Sequence, residues 1–243
     1  MFRLISLITL TGLLSFNTNY KKAGPAHFYG AWQMNTADIT YTKIYTQGYF
    51  IYGAYDLAGK NFVEAGGGTW EMNKDGIVEK YEFNTSNPEL VGDLEKYTFE
   101  GNHDDLPMTL WTEQNGEKVL KSWSKIDDGN SALFGAWRIT QRKRNGQMSA
   151  MQQGPRKTMK VLSGTRFQWA AFNVETKQFM GTGGGTFTAK DGKYIENIEF
   201  FSRDNSRVGA SLGFDFEVEG KDWHHKGLSS KGDPIYEIWT NQD

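Results

Sequence analysis

Beyond about residue 25, apolar and polar positions alternate with a period of two along most of the chain. Phe167, Trp169 and Ala171 interleave with Arg166, Gln168 and Ala170, and Leu212, Phe214, Phe216 and Val218 interleave with Gly213, Asp215, Glu217 and Glu219. Successive side chains of a strand point to opposite faces, so this pattern predicts half-buried strands. No helix of three turns with an apolar face is predicted. Turn formers such as Asn173-Val174-Glu175-Thr176-Lys177 and Lys190-Asp191-Gly192-Lys193 interrupt the runs, about every 8–12 residues, as in a β-sandwich or an up-and-down barrel.

The pattern also repeats. Phe28-Tyr29-Gly30-Ala31-Trp32 returns as Leu133-Phe134-Gly135-Ala136-Trp137, and Gly66-Gly67-Gly68-Thr69-Trp70 returns as Gly183-Gly184-Gly185-Thr186-Phe187. Tyr81-Glu82-Phe83 matches Ile198-Glu199-Phe200, Tyr97-Thr98-Phe99 matches Phe214-Asp215-Phe216, and Trp123 matches Trp239. A unit of about 105 residues is large enough to hold its own core. Two tandem β domains are expected, over 26–126 and 132–243, joined at the turn-forming run Asp127-Asp128-Gly129-Asn130-Ser131. The triple glycines lack the Lys and following helix of a phosphate loop, and are expected to mark sharp strand bends at barrel corners.

Ahead of the repeat, Met1-Phe2-Arg3 precedes an uncharged apolar run from Leu4 to Leu14. Its length suits a signal-peptide core and falls short of the roughly 20 residues that span a bilayer. Residues 1–22 are therefore expected to be a signal peptide, with the remainder secreted or periplasmic and without a transmembrane helix.

Gly30-Ala31-Trp32 and Gly135-Ala136-Trp137 resemble the first-strand motif of lipocalin-like barrels. The second copy, through Gly164-Thr165-Arg166-Phe167-Gln168-Trp169, Glu196-Asn197-Ile198-Glu199-Phe200-Phe201-Ser202 and Asp222-Trp223-His224-His225, resembles an uncharacterised family of exported lipocalin-like domains from Bacteroidetes-type bacteria. The first copy is then a degenerate relative. The resemblance implies small closed barrels and export, and brings no catalytic residues.

Composition narrows the chemistry. The 243 residues contain no cysteine, which excludes disulfides, thiol nucleophiles and thiolate metal sites. A net charge of −2 without a basic block argues against nucleic acid as a partner. No motif calls for a cofactor or a metal. His224 and His225 are adjacent and so face opposite sides of a strand, which a single ion does not bridge.

Candidate binding residues are polar groups that share a face with repeated apolar ones. In the second copy the face of Ile198 and Phe200 includes Glu196, that of Ile235 and Trp239 includes Glu237, and Trp223 shares a face with His225. If those faces point inward, Glu196, His225 and Glu237 sit among Trp169, Trp223 and Trp239, a few polar groups between aromatic walls as in a small-molecule site. Arg203 and Arg207 replace Ser86 and Leu90 of the first copy and would add cations at a rim. The insertion from Gln141 to Lys157 is either a lid or an irregular hairpin with solvated charges. The expected function is binding of a small, partly apolar ligand in the second barrel. Two alternatives stay open: an enzyme using Glu196, His225 or Glu237 as acid or base, and an interaction module with filled barrels and a barrel-to-barrel or homodimer contact.

Overall fold

The computed structural model describes residues 25–73, 76–100, 107–229 and 232–243. The expected leader at 1–22, His103 and the turn residues Lys74 and Asp75 lie outside the described residues. Eight strands, β1 (Gly30–Asn35), β2 (Thr40–Tyr45), β3 (Tyr49–Asp56), β4 (Asn61–Met72), β5 (Gly76–Asn84), β6 (Leu94–Phe99), β7 (Met108–Gln114) and β8 (Glu117–Asp127), pair each with the next. Pairing of β8 with β1 closes an antiparallel barrel. The second copy holds β9 (Gly135–Arg144), β10 (Gln147–Ala150), β11 (Arg156–Leu162), β12 (Arg166–Asn173), β13 (Gln178–Lys190), β14 (Lys193–Phe201), β15 (Ser211–Glu219), β16 (Asp222–Leu228) and β17 (Pro234–Asn241). Here β9 and β11 to β17 close through the pairing of β17 with β9, and β10 folds back on the far end of β9 as an added arm. Both copies are up-and-down barrels, the architecture of lipocalins. Among the described residues no helix is long and apolar enough to cross a membrane.

Local chemistry fixes the hairpins. Asp191 and Gly192 join β13 to β14 with φ of 52° and 72°, the two positive angles of a type I′ turn, whose twist matches the strands it joins. The triple glycines lie where the β4–β5 and β13–β14 registers shift by one residue. A Cβ on Gly68 would stand 2.0 Å from the Lys80 carbonyl oxygen, and one on Gly185 2.0 Å from that of Asn197. Only glycine lets the bulged strand approach this closely. The bulge also corrects the sequence-based face assignment. Ile198 packs inside the second barrel, but the extra residue turns Phe200 outward onto Tyr55 of the first barrel. Glu196 and Ile198 share the interior, and Phe200 does not.

Three cores result, one inside each barrel and one between them. Between the barrels, Ile44, Ile51 and Phe83 pack on Met159, Val161 and Phe172. The aromatic contacts obey a twofold rule. Tyr55 and Phe172 are equivalent in the repeat, as are Phe83 and Phe200; Tyr55 stacks on Phe200 with ring centroids 4.8 Å apart, and Phe83 stacks on Phe172 at the same 4.8 Å. Phe62 stacks on its own equivalent, Phe179, at 6.4 Å. Contacts in which i meets j and j meets i are those of an isologous dimer, here made within one chain.

The ends of the barrels follow the same rule. Asp127, at the end of β8, accepts hydrogen bonds from Ser163 Oγ at 2.9 Å and the Gly164 and Thr165 amides at 2.8 and 3.0 Å, all in the β11–β12 hairpin. Asp243, after β17, accepts from Thr46 Oγ1 at 2.8 Å and the Gly48 amide at 3.1 Å in the equivalent β2–β3 hairpin. Burial pushes the Asp127 carboxyl upward, and the hydrogen bonds from Thr165, Gly164, Gly129 and Ser163 outweigh it and hold the pKa below the usual value.

Candidate functional site

Each barrel carries one buried ion pair at the same place. On β2 and β5, Lys43 donates to Glu79 at 2.7 Å; on β11 and β14, Lys160 donates to Glu196 at 2.6 Å. All four side chains are almost fully buried. A charge moved out of water is tolerated only when paired and hydrogen-bonded. Tyr45 accordingly donates to Glu79, and Tyr194 to Glu196 at 2.8 Å. The ammonium groups sit in aromatic boxes. Lys43 Nζ is 5.2 Å from the Tyr97 ring and 5.4 Å from that of Trp123, and Lys160 Nζ is 5.3 Å from Trp223 and 5.2 Å from Trp239.

Above this shared floor the barrels diverge. The first opens into a cavity of about 930 Å³, at the upper end of the range typical of small-molecule pockets. Its walls include Tyr52, Tyr81, Tyr97, Glu64, Glu95 and Lys121. Tyr81 Oη donates to Glu95 at 3.0 Å. Burial, followed by the charge of Glu79, raises the pKa of Tyr81 and Tyr97 well above that of free tyrosine, so both present protonated hydroxyls. Lys121 has no carboxylate within ion-pair distance among the described residues, and its ammonium stands 5.7 Å from the Tyr97 ring. Burial, with the Lys43 charge behind it, pushes the Lys121 pKa down. The compartment thus offers hydroxyl donors, carboxylate acceptors, aromatic faces and, in Lys121, a partly buried cation without a carboxylate partner among the described residues.

The strand registers give the second-barrel equivalents. Tyr81, Glu95 and Tyr97 become Ile198, Leu212 and Phe214, and Leu110 paired with Lys121 becomes His225 paired with Glu237. Ile198, Phe214, Trp223 and Trp239 pack together with Trp137, Leu162 and Phe187. Glu196, Trp223, His225, Glu237 and Trp239, the sequence candidates, do converge here. His225 Nδ1 lies 3.7 Å from Glu237 Oε2, too long for a hydrogen bond. Neither His225 nitrogen nor Trp223 Nε1 has a hydrogen-bonding partner among the described residues. Glu237 accepts from Trp239 Nε1 at 3.1 Å and pairs with Arg142. Burial pushes the His225 pKa below that of free histidine, against the opposing pull of Glu237 and Glu196. Burial acts upward on Glu237, but His225, Arg142 and Lys160 overcome it and bring the carboxyl down to about 2. At 2% and 5% exposure, His225 and Glu237 lie side by side in the interior without a hydrogen bond between them.

Trp169, half-buried, packs against the same core and meets Phe201 edge-on at 5.4 Å, whereas the two arginine candidates lie elsewhere. Arg203 donates to the Met180 carbonyl and Arg207 to Asp204 at 3.1 Å, both on the β14–β15 connection. His224 Nδ1 lies 2.9 Å from Tyr236 Oη, on the strand face opposite His225. The insertion is a regular hairpin rather than an irregular one: Asn145 and Gly146 turn with φ of 49° and 83°, and β10 pairs with β9 from Gln147–Arg144 to Ala150–Gln141.

Sequence reasoning passed over Lys43, Lys160, Glu64, Glu95 and Lys121. A signal for the lysines existed, since each stands the same 36 residues before its glutamate in an otherwise buried run. No family model matches the chain, and no curated protein matches it.

Proposed function

We propose that this is an exported small-molecule-binding protein whose ligand compartment is the first barrel, with the second barrel as its permanently docked support. The observation that carries the reading is the cavity of about 930 Å³ that is lined by Lys43, whose ammonium is paired with the fully buried Glu79, and by Lys121, Glu64, Glu95 and tyrosines. An unpaired ammonium beside aromatic faces favours a ligand with an acidic or strongly polar group on a planar or ring-shaped body. The apolar run of residues 4–14 supports export, and the barrel architecture together with the Gly-Ala-Trp openings supports kinship with lipocalin-like domains.

The test is native mass spectrometry of protein isolated from its own host. A small molecule is expected to travel with the wild type and to be lost from Glu95→Leu/Lys121→Leu, which gives the wall an apolar character like that of the second barrel. The reading fails if nothing co-purifies, or if the same mass remains with the variant.

A further inference from the structure

The second barrel carries a different cleft, outside its packed core. Along one edge of β9 the partner strand changes: β11 pairs with Gly135 to Arg138, and β10 takes over from Gln141 to Arg144. The segment 151–155 crosses the gap between them, held by the Met151 amide donating to the Thr140 carbonyl at 2.7 Å. A cleft of about 430 Å³ lies at this change of partner. Four arginines line it, Arg138, Arg142, Arg144 and Arg156, and no carboxylate is among its lining residues.

Three of these guanidinium groups have no carboxylate partner among the described residues. Arg138 donates to the carbonyls of Gly154 and Arg156, at 2.8 and 3.3 Å, and Arg156 Nε approaches the Met180 thioether at 3.4 Å. Arg144 is exposed at the end of β9. Arg142 reaches inward to Glu237 and leaves its Nε buried without a partner. So local a concentration of positive charge, in a chain of net charge −2, sets this cleft apart from an ordinary solvated surface. The other lining is apolar. Ile139 belongs to the core of the second barrel, and Met151 packs against that core.

We propose that this cleft is an anion site, taking a small amphiphile whose carboxylate or phosphate head meets the arginines and whose short apolar body lies against Ile139 and Met151. Guanidinium forks suit planar or tetrahedral oxyanions, and methionine adapts its shape to apolar groups of varied form. The insertion that builds the cleft has no counterpart in the first copy, where β2 runs beside β1 along its whole length. The site is therefore specific to the second barrel and independent of the first barrel's compartment.

Calorimetric titration of the full chain at low ionic strength, with octanoate, octyl phosphate and inorganic phosphate as separate probes, tests it. At least one of the two amphiphiles is expected to bind, and the one that does identifies the head group. Arg144→Gln/Arg156→Gln, which changes two exposed side chains, is expected to weaken that binding by about tenfold or more with an unchanged thermal midpoint. Glu95→Leu/Lys121→Leu is expected to leave it unaltered, which separates this site from the first barrel. The proposal is overturned if neither amphiphile binds at millimolar concentration, if the arginine variant binds as the wild type does, or if the first-barrel variant abolishes binding. Inorganic phosphate binding as tightly as octyl phosphate overturns the apolar half of the assignment.

Discussion

The two barrels share strand order, register, bulge and buried Lys–Glu pair, and differ in what stands above that pair. In the first, Tyr81, Glu95, Tyr97 and Lys121 leave an open polar compartment; in the second, Ile198, Leu212, Phe214 and the His225–Glu237 pair belong to a packed interior. A framework maintained by glycine bulges and interface aromatics allows interior positions to vary without changing the barrel. The ion pair is therefore part of the common scaffold, and the residues around it decide whether a barrel holds a compartment.

The largest expected effect separates the two ion pairs. Lys160→Met leaves Glu196 buried with Tyr194 as its remaining donor, and about 3–5 kcal/mol of stability should be lost. Lys43→Met leaves Glu79 with Tyr45 and the hydroxyl of Tyr81 at 3.4 Å, beside a compartment that admits solvent, and should cost less. Urea unfolding of both variants checks the order, and equal losses would remove the claimed difference in interior polarity.

Acid should act on the second barrel next. Glu237 titrates near 4.5 when unperturbed and at about 2 in the fold. A depressed carboxyl contributes stability that is complete above about pH 5 and is lost as pH falls through the folded value. The shift corresponds to on the order of 3 kcal/mol, and Glu237→Gln should flatten the fall in the urea midpoint between about pH 5 and 2. A wild-type curve already flat in that window would disprove the assignment.

The smallest effect probes the twofold contacts. Asp127→Asn and Asp243→Asn each weaken one charge-assisted hairpin cap, and each should cost about 1–2 kcal/mol. Asp127 receives more hydrogen bonds from its hairpin, so its variant should unfold at the lower temperature. The reverse order in calorimetry would show that the number of hairpin hydrogen bonds does not set the strength of these caps.

Strand alternation, the Asp191-Gly192 turn and the internal repeat were legible in the sequence because each is a local or periodic signal. The convergence of Glu196, His225 and Glu237 was legible for the same reason. The outward turn of Phe200 was not, since one bulged residue reverses every face beyond it and leaves only a glycine as a trace. The first-barrel compartment was also hidden. Its volume depends on how side chains from different strands fill the barrel, and Glu95 and Lys121, the polar residues particular to the first copy, belong to no local motif or period that marks them as cavity walls.

The reciprocal stacking of Tyr55 on Phe200 and Phe83 on Phe172 bears on how many chains the molecule contains. A self-complementary face on a lone barrel would invite a second molecule. Here β8 ends at Asp127 and β9 begins at Gly135, so a short tether holds the two faces at an effective concentration of about a millimolar or more. A free copy at micromolar concentration competes at a disadvantage of about a thousandfold. Duplication thus turns an association that would depend on dilution into one that does not, and it frees each half to change its interior without having to recognise itself.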